Sequence, residues 1–85
     1  MENPTRKGDM IEEAGVIYLM NNTGEKYATH PLICSFWRIC DGFTYFKDIV
    51  KSVRTQNEKV HMEYGQLSQL LGRSIFDLRN KGLMV

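Results

Sequence analysis

The side chains best suited to chemistry in this 85-residue chain are His30, Cys34 and Cys40, with His61 further along. His30 and Cys34 stand at i and i+4, a spacing at which a helix turns two ligands to one side. Zinc asks for three or four ligands, and no Cys-x-x-Cys completes the set. Cys34 and Cys40 are six apart, about 240° round a helix axis, so they face different ways and cannot bridge. A thiol nucleophile would need His61 as its base and a carboxylate to orient it. Both cysteines lie in the most apolar segment, where burial raises a thiol's pKa and lowers its reactivity. No Gly-rich phosphate loop or dinucleotide fingerprint is present. The residues therefore predict no metal site, no cofactor and no enzyme.

The bulk numbers bound what else the chain can be. Eighty-five residues make one domain with a thin core. Eleven Lys and Arg against ten Asp and Glu leave a net charge of +1, too little for a general pull on nucleic acid or an anionic membrane. Glu2, Arg6, Lys7, Asp9, Glu12 and Glu13 interrupt the first thirteen residues, which argues against a signal peptide. No apolar run is long enough to span a bilayer. Two unbridged thiols favour a reducing compartment, so the expectation is a cytoplasmic protein.

Residues 1–13 read as a flexible segment, frayed from Met1 to Asp9, with one short strand possible over Met10 to Glu13. Ala14 to Met20 is β-branched and aromatic and reads as a strand. Asn21-Asn22-Thr23-Gly24 supplies a tight turn, and Glu25 to Thr29 returns as the partner strand. Pro31 opens a helix whose residues Leu32 to Cys40 are almost all apolar, so it reads as a post buried on all sides and capped by Gly42. Thr44 reads as the N-cap of a second helix with Phe46, Ile49, Val50 and Val53 on its inner face. Arg54 to Lys59 reads as a loop. A last helix runs from about Met62 to Asn80 on the stripe Tyr64, Leu67, Leu71, Ile75 and Leu78. Leu83-Met84-Val85 then folds back or adds a short strand. The fold class is α+β: an N-terminal hairpin of two or three strands packed on three helices, a winged-helix-like domain over residues 14–85.

That parts list raises a DNA-binding alternative. Leu67 to Ser74 mimics a helix-turn-helix joint, with Gly72 as the turn. The apolar stripe continues in phase through Gly72, however, and only nine residues separate Gly72 from Gly82. One continuous helix explains the pattern better, and nucleic acid becomes the lesser reading.

In a continuous helix, Gly65, Gly72, Phe76 and Arg79 share a side away from the stripe. Each interior glycine costs roughly 1 kcal/mol relative to alanine, so this side is either packed as core or kept low as a groove for a peptide. The returning strand Glu25, Lys26, Tyr27, Ala28 and Thr29 is the second candidate surface, since an unpaired strand edge is a template for an added strand.

The order of these pieces resembles a known family. Val16-Ile17-Tyr18-Leu19 is followed by the Asn-x-Thr-Gly turn and a helix ending Phe36-Trp37-Arg38-Ile39-Cys40-Asp41-Gly42. Thr44-Tyr45-Phe46-Lys47-Asp48-Ile49-Val50 opens the next helix, and the long helix closes Leu78-Arg79-Asn80-Lys81-Gly82-Leu83. Over residues 14 to 84 this looks like the PqqD-like family, named for a small protein of pyrroloquinoline quinone biosynthesis. The resemblance implies a winged-helix-like recognition element for ribosomally made, modified peptides. Such an element binds a precursor's leader peptide as an extra strand, between an edge strand and the last helix, and presents it to a modifying enzyme of the radical-SAM type. Carried onto this chain, the strand is Glu25 to Thr29 and the helix face is Gly72, Phe76 and Arg79, with Gly65 on the same line. Trp37, Cys40, Asp41 and Gly42 match the family's joint, where Asp41 would cap backbone groups. The resemblance does not fix whether the domain is a monomer or a dimer.

Overall fold

The computed structural model describes residues 3–57, 59 and 61–85. The architecture is α+β. Strands β1 (Asp9–Glu13), β2 (Val16–Met20) and β3 (Lys26–Ala28) form one antiparallel sheet in the order β1-β2-β3, followed by helices α1 (Pro31–Ile39), α2 (Phe46–Gln56) and α3 (Tyr64–Asn80). The short strand expected over Met10 to Glu13 forms and completes the sheet. Glu13 pairs with Val16 across a two-residue turn in which both Ala14 and Gly15 take positive φ, 50° and 80°. That conformation matches the twist of the flanking strands, so Ala14 belongs to the turn and β2 begins at Val16.

The core is built from the apolar periodicities. Leu67, Leu71, Ile75 and Leu78 of α3 are buried against Ile49, Val50 and Val53 of α2 and against Leu32, Cys34, Phe36 and Trp37 of α1. Phe36 is fully enclosed and meets Phe46 edge-on, with ring centroids 6.3 Å apart. Leu19 and Tyr27, which alternate to the inner side of the sheet, pack on the same cluster. α1 is not buried on all sides: Pro31 and Arg38 are exposed and Ile33, Ser35 and Ile39 are half-buried. Nine residues of helix cannot be surrounded by a sheet and two helices alone.

Five local expectations change. The stretch before β1 is not frayed where it is described: Arg6 N donates to Cys40 O at 2.7 Å, Lys7 N to Leu83 O at 3.0 Å, and Val85 N to Thr5 O at 2.9 Å. Bridges Thr5 to Asp41 and Arg6 to Met84 clasp the two ends of the chain together, so the C-terminal fold-back and the N-terminus satisfy each other. Gly42 does not cap α1; Cys40 does, its N–H returning to Trp37 O. Thr44 does not cap α2; Tyr45 holds that position, and the Thr44 hydroxyl donates to Asp41 Oδ2 instead. The polar stretch from Arg54 is helical to Gln56, because Val53 still anchors that turn to the core; Glu58, also within the expected loop, lies outside the described residues. α3 begins at Tyr64 rather than Met62, with Glu63 N donating to the side chain of Gln66. It then runs unbroken through Gly72, so no helix-turn-helix joint exists there.

Candidate functional site

β3 is an edge strand: it pairs with β2 on one side and with nothing on the other among the described residues. The phase of its backbone groups follows from the turn. Asn21 N donates to Glu25 O at 3.0 Å, which makes Asn21 and Glu25 a hydrogen-bonded pair. Antiparallel pairs alternate, so Leu19 and Tyr27 form the next hydrogen-bonded pair while Met20–Lys26 and Tyr18–Ala28 are the open kind. The N–H and C=O groups of Lys26 and Ala28 therefore point to the free edge. Those of Tyr27 are consumed by β2. Glu25 and Thr29 flank the strand.

The Tyr27 ring leans inward and is half-buried, with the Lys81 ammonium 5.2 Å from its centroid. Lys81 is anchored there: its Nζ is 2.9 Å from Asp77 Oδ2, and its carbonyl accepts from Asn21 Nδ2 at 2.7 Å. Asn21 is the buried polar hub of this corner, accepting from Thr23 N and Glu25 N through Oδ1. Glu25 is held below the usual carboxylate range by hydrogen bonds from Asn21, Thr23 and Tyr27.

These contacts decide which flank of α3 faces β3. Lys81 continues the line Leu70, Ser74, Asp77 at spacings of four, three and four. Gly65, Gly72, Phe76 and Arg79 lie roughly 140–180° further round the axis. The structure thus does not bring the two expected surfaces into one groove. The glycine line is not core either: a Cβ built on Gly65 or Gly72 meets nothing within 4 Å, and Phe76 is 71% exposed. Its neighbour is the start of α2, where Tyr45, Phe46 and Lys47 line a depression with Ser68. Arg79 Nε donates to Val85 O. The residues beside β3 that sequence reasoning missed are Lys81, over the Tyr27 ring, and Asp77, which pairs with it. Their stripe was visible in the periodicity, but nothing in it said which strand would lie alongside.

The joint residues hold the scaffold. Trp37 Nε1 donates to Leu83 O at 2.8 Å, and the Arg6 guanidinium lies 5.9 Å from the indole centroid. Asp41 Oδ1 accepts from Phe43 N and Thr44 N, both at 2.8 Å, and these bonds hold its carboxyl below the usual range. Gly42 has φ 85°, and a Cβ there would come within 2.7 Å of Thr5 Oγ1, so the clasped N-terminus demands glycine. Cys34 and Cys40 are both free and buried. Burial pushes the Cys34 thiol up and that of Cys40 up to about 12. His30 caps α1, its Nδ1 accepting from Leu32 N at 3.1 Å. Among the described residues no group of three His, Cys, Asp or Glu converges.

A further concavity of about 580 Å³ lies between the sheet and α1. Met10, Ile17, Pro31, Cys34 and Arg38 line it, and it reaches the end of β3 through Ala28 and Thr29. No described helix is long and apolar enough to cross a membrane. No known protein family, curated protein or solved structure matches this chain.

Proposed function

We propose that this domain is a non-catalytic peptide-binding module of the PqqD-like kind. It takes the leader segment of a precursor peptide as a fourth strand on β3 and presents the precursor to a modifying enzyme, by resemblance a radical-SAM protein, in a reducing cytoplasm. The observation that carries this reading is the free edge of β3, with the backbone groups of Lys26 and Ala28 turned outward. The thiols of Cys34 and Cys40, unbridged and buried, support the reducing compartment.

Backbone bonds alone do not suffice. Two outward residues offer four hydrogen bonds, worth in total about 2–6 kcal/mol net at 0.5–1.5 each. Micromolar binding needs about 8 kcal/mol after the ordering cost of the peptide. The remainder has to come from side chains: on one side the α3 flank that ends at Asp77 and Lys81, on the other the apolar cleft reached through Ala28 and Thr29. The leader would therefore carry apolar residues at alternating positions.

The first test is genomic: a gene for a short precursor beside one for a peptide-modifying enzyme. The second is a titration of the labelled domain with that precursor's leader. Amide shifts centred on Lys26 and Ala28, lost in Ala28→Pro, support strand addition. Shifts that bypass β3, or a salt-dependent shift of random duplex DNA at micromolar protein, would overturn it.

A further inference from the structure

Four of the exposed large apolar side chains gather on one face, on the far side of α3 from β3. Phe43 is 85% exposed, Phe76 71%, Val85 68% and Tyr45 63%. Their convergence follows from contacts. Tyr45, Phe46 and Lys47 share a depression of about 390 Å³ with Ser68. Ser68, Gly72, Phe76 and Arg79 occupy one 80° sector of α3. Arg79 reaches Val85, Val85 N bonds Thr5 O, Thr5 bridges Asp41, and Phe43 follows two residues on, its carbonyl held by Asn3 Nδ2 at 3.1 Å. The rings and Val85 thus surround a low surface that Gly72 leaves open.

The margin of this face is cationic. Lys47 lines the depression, Lys51 and Arg54 continue its line along α2 at i+4 and i+7, and Arg79 closes the other side. Among the described residues none of these four makes an ion pair; the pairs present are Lys26–Glu13 and Lys81–Asp77. Asp77, next to Phe76 in sequence, is paired with Lys81, and Asp41, two residues before Phe43, is occupied by Phe43 N, Thr44 N and the Thr44 hydroxyl. Asp48 projects from α2 about 100° away from Lys47. An aromatic centre with a charged rim is the anatomy of a protein interface, where aromatic and Arg side chains dominate the energy.

We infer that this face docks an acidic amphipathic helix of another protein. Charge selects the occupant. A second copy of this chain would set one cationic rim against another with no carboxylate to meet it, which costs affinity. Nucleic acid draws its affinity from many phosphate contacts, typically six to ten, whereas this face offers Lys47 and Arg79 beside an apolar centre, with Lys51 and Arg54 further along α2, and keeps Asp41 beside Phe43. A helix with leucines on one side and glutamates along its edges fits both parts of the surface. The face is independent of the β3 edge, so both can be filled at once, and the inference stands whether or not β3 takes a strand.

The experiment is a titration of the isotope-labelled domain with an end-blocked, three-heptad amphipathic peptide of leucine and glutamate. The expected result is saturable binding on the order of tens of micromolar, with amide shifts confined to Phe43–Lys47, Ser68, Gly72 and Phe76. Phe76→Asp and Lys47→Glu, both at exposed positions and expected to melt like wild type, weaken it by at least about tenfold. Ala28→Pro leaves it unchanged. The inference is overturned if the same peptide with lysine in place of glutamate binds equally, if no saturable shift appears, or if the shifts fall on the sheet. It is likewise overturned if an oligothymidylate or anionic phosphatidylglycerol vesicles bind this face more tightly than the acidic peptide, or if the free domain sediments as a dimer that Phe76→Asp dissolves.

Discussion

The two flanks of α3 differ in kind. The flank beside β3 is polar and tied: Lys81 holds Asp77, sits over Tyr27 and offers its carbonyl to Asn21, while Leu70 is only 37% exposed. The opposite flank is apolar and open: a Cβ on Gly72 would meet nothing within 4 Å and Phe76 stands in solvent. One stripe of core residues serves both. What separates the flanks is the neighbour each received, a strand edge on one side and the aromatic start of α2 on the other. A free edge and a free apolar patch are therefore two surfaces here, with α3 as the wall between them.

The largest perturbation tests whether the flanks share one foundation. Phe36 is fully buried and touches Phe46 at the start of α2. Phe36→Ala should cost about 3–5 kcal/mol in denaturant unfolding, a large part of a small domain's stability. Hydrogen exchange should then rise together on β3 and on α2. Faster exchange on α2 alone would mean that the flanks are separate cooperative units.

Next comes the strand edge. Ala28→Pro removes an outward N–H and leaves the ladder to β2 intact, so leader binding should fall by at least about tenfold while the melt moves little. Tyr27→Pro, which takes away a ladder N–H, should instead unfold the sheet; equal melts for the two would refute the assigned phase.

On the open flank, Gly72→Ala should raise stability by about 1 kcal/mol, since an interior glycine is replaced where a methyl group meets nothing. A loss would mean that this face is packed in solution, and the contrast between the flanks would collapse.

The smallest effect is acid sensitivity. Glu25 on one side and Asp41 on the other both have carboxyl pKa values lowered by hydrogen bonds, Glu25 chiefly by Asn21 and Asp41 chiefly by the backbone N–H of Phe43. A group whose folded pKa is depressed stabilises the fold above its unfolded pKa. That stability is lost as pH falls through the folded value. Carboxyl titration by NMR should find both midpoints below the ordinary range. Asp41→Asn should shallow the acid limb of the stability curve and loosen the Phe43 and Thr44 amides without disturbing β3.

The elements were largely legible because they rest on local rules. β-Branched and aromatic residues gave β2, Asn21 to Gly24 gave the second turn, and Pro31 gave the start of α1. The three-four spacing from Leu67 to Leu78 carried α3 through Gly72. Boundaries failed where a distant segment supplied the partner. Cys40 and Leu83 hold the N-terminal stretch that composition alone marked as loose. Thr44 gave its hydroxyl to Asp41 because that carboxylate was already folded over the joint. Ala14 entered the left-handed region because the β1–β2 register required a two-residue turn.

The candidate site divides the same way. From the sequence alone came a short strand with an edge to offer and a glycine-and-phenylalanine line on a long helix, both set by residue type and period. Only the tertiary structure decided that they lie on different sides of α3. Periodicity specifies the angle between two faces of one helix, but the neighbour each face meets is set by how α1 threads beneath the sheet and where the two chain ends clasp. Those are contacts between residues more than thirty positions apart, such as Arg6 with Cys40 in one direction and Trp37 with Leu83 in the other. No local pattern encodes them, because their free energy exists only once the whole chain is in place.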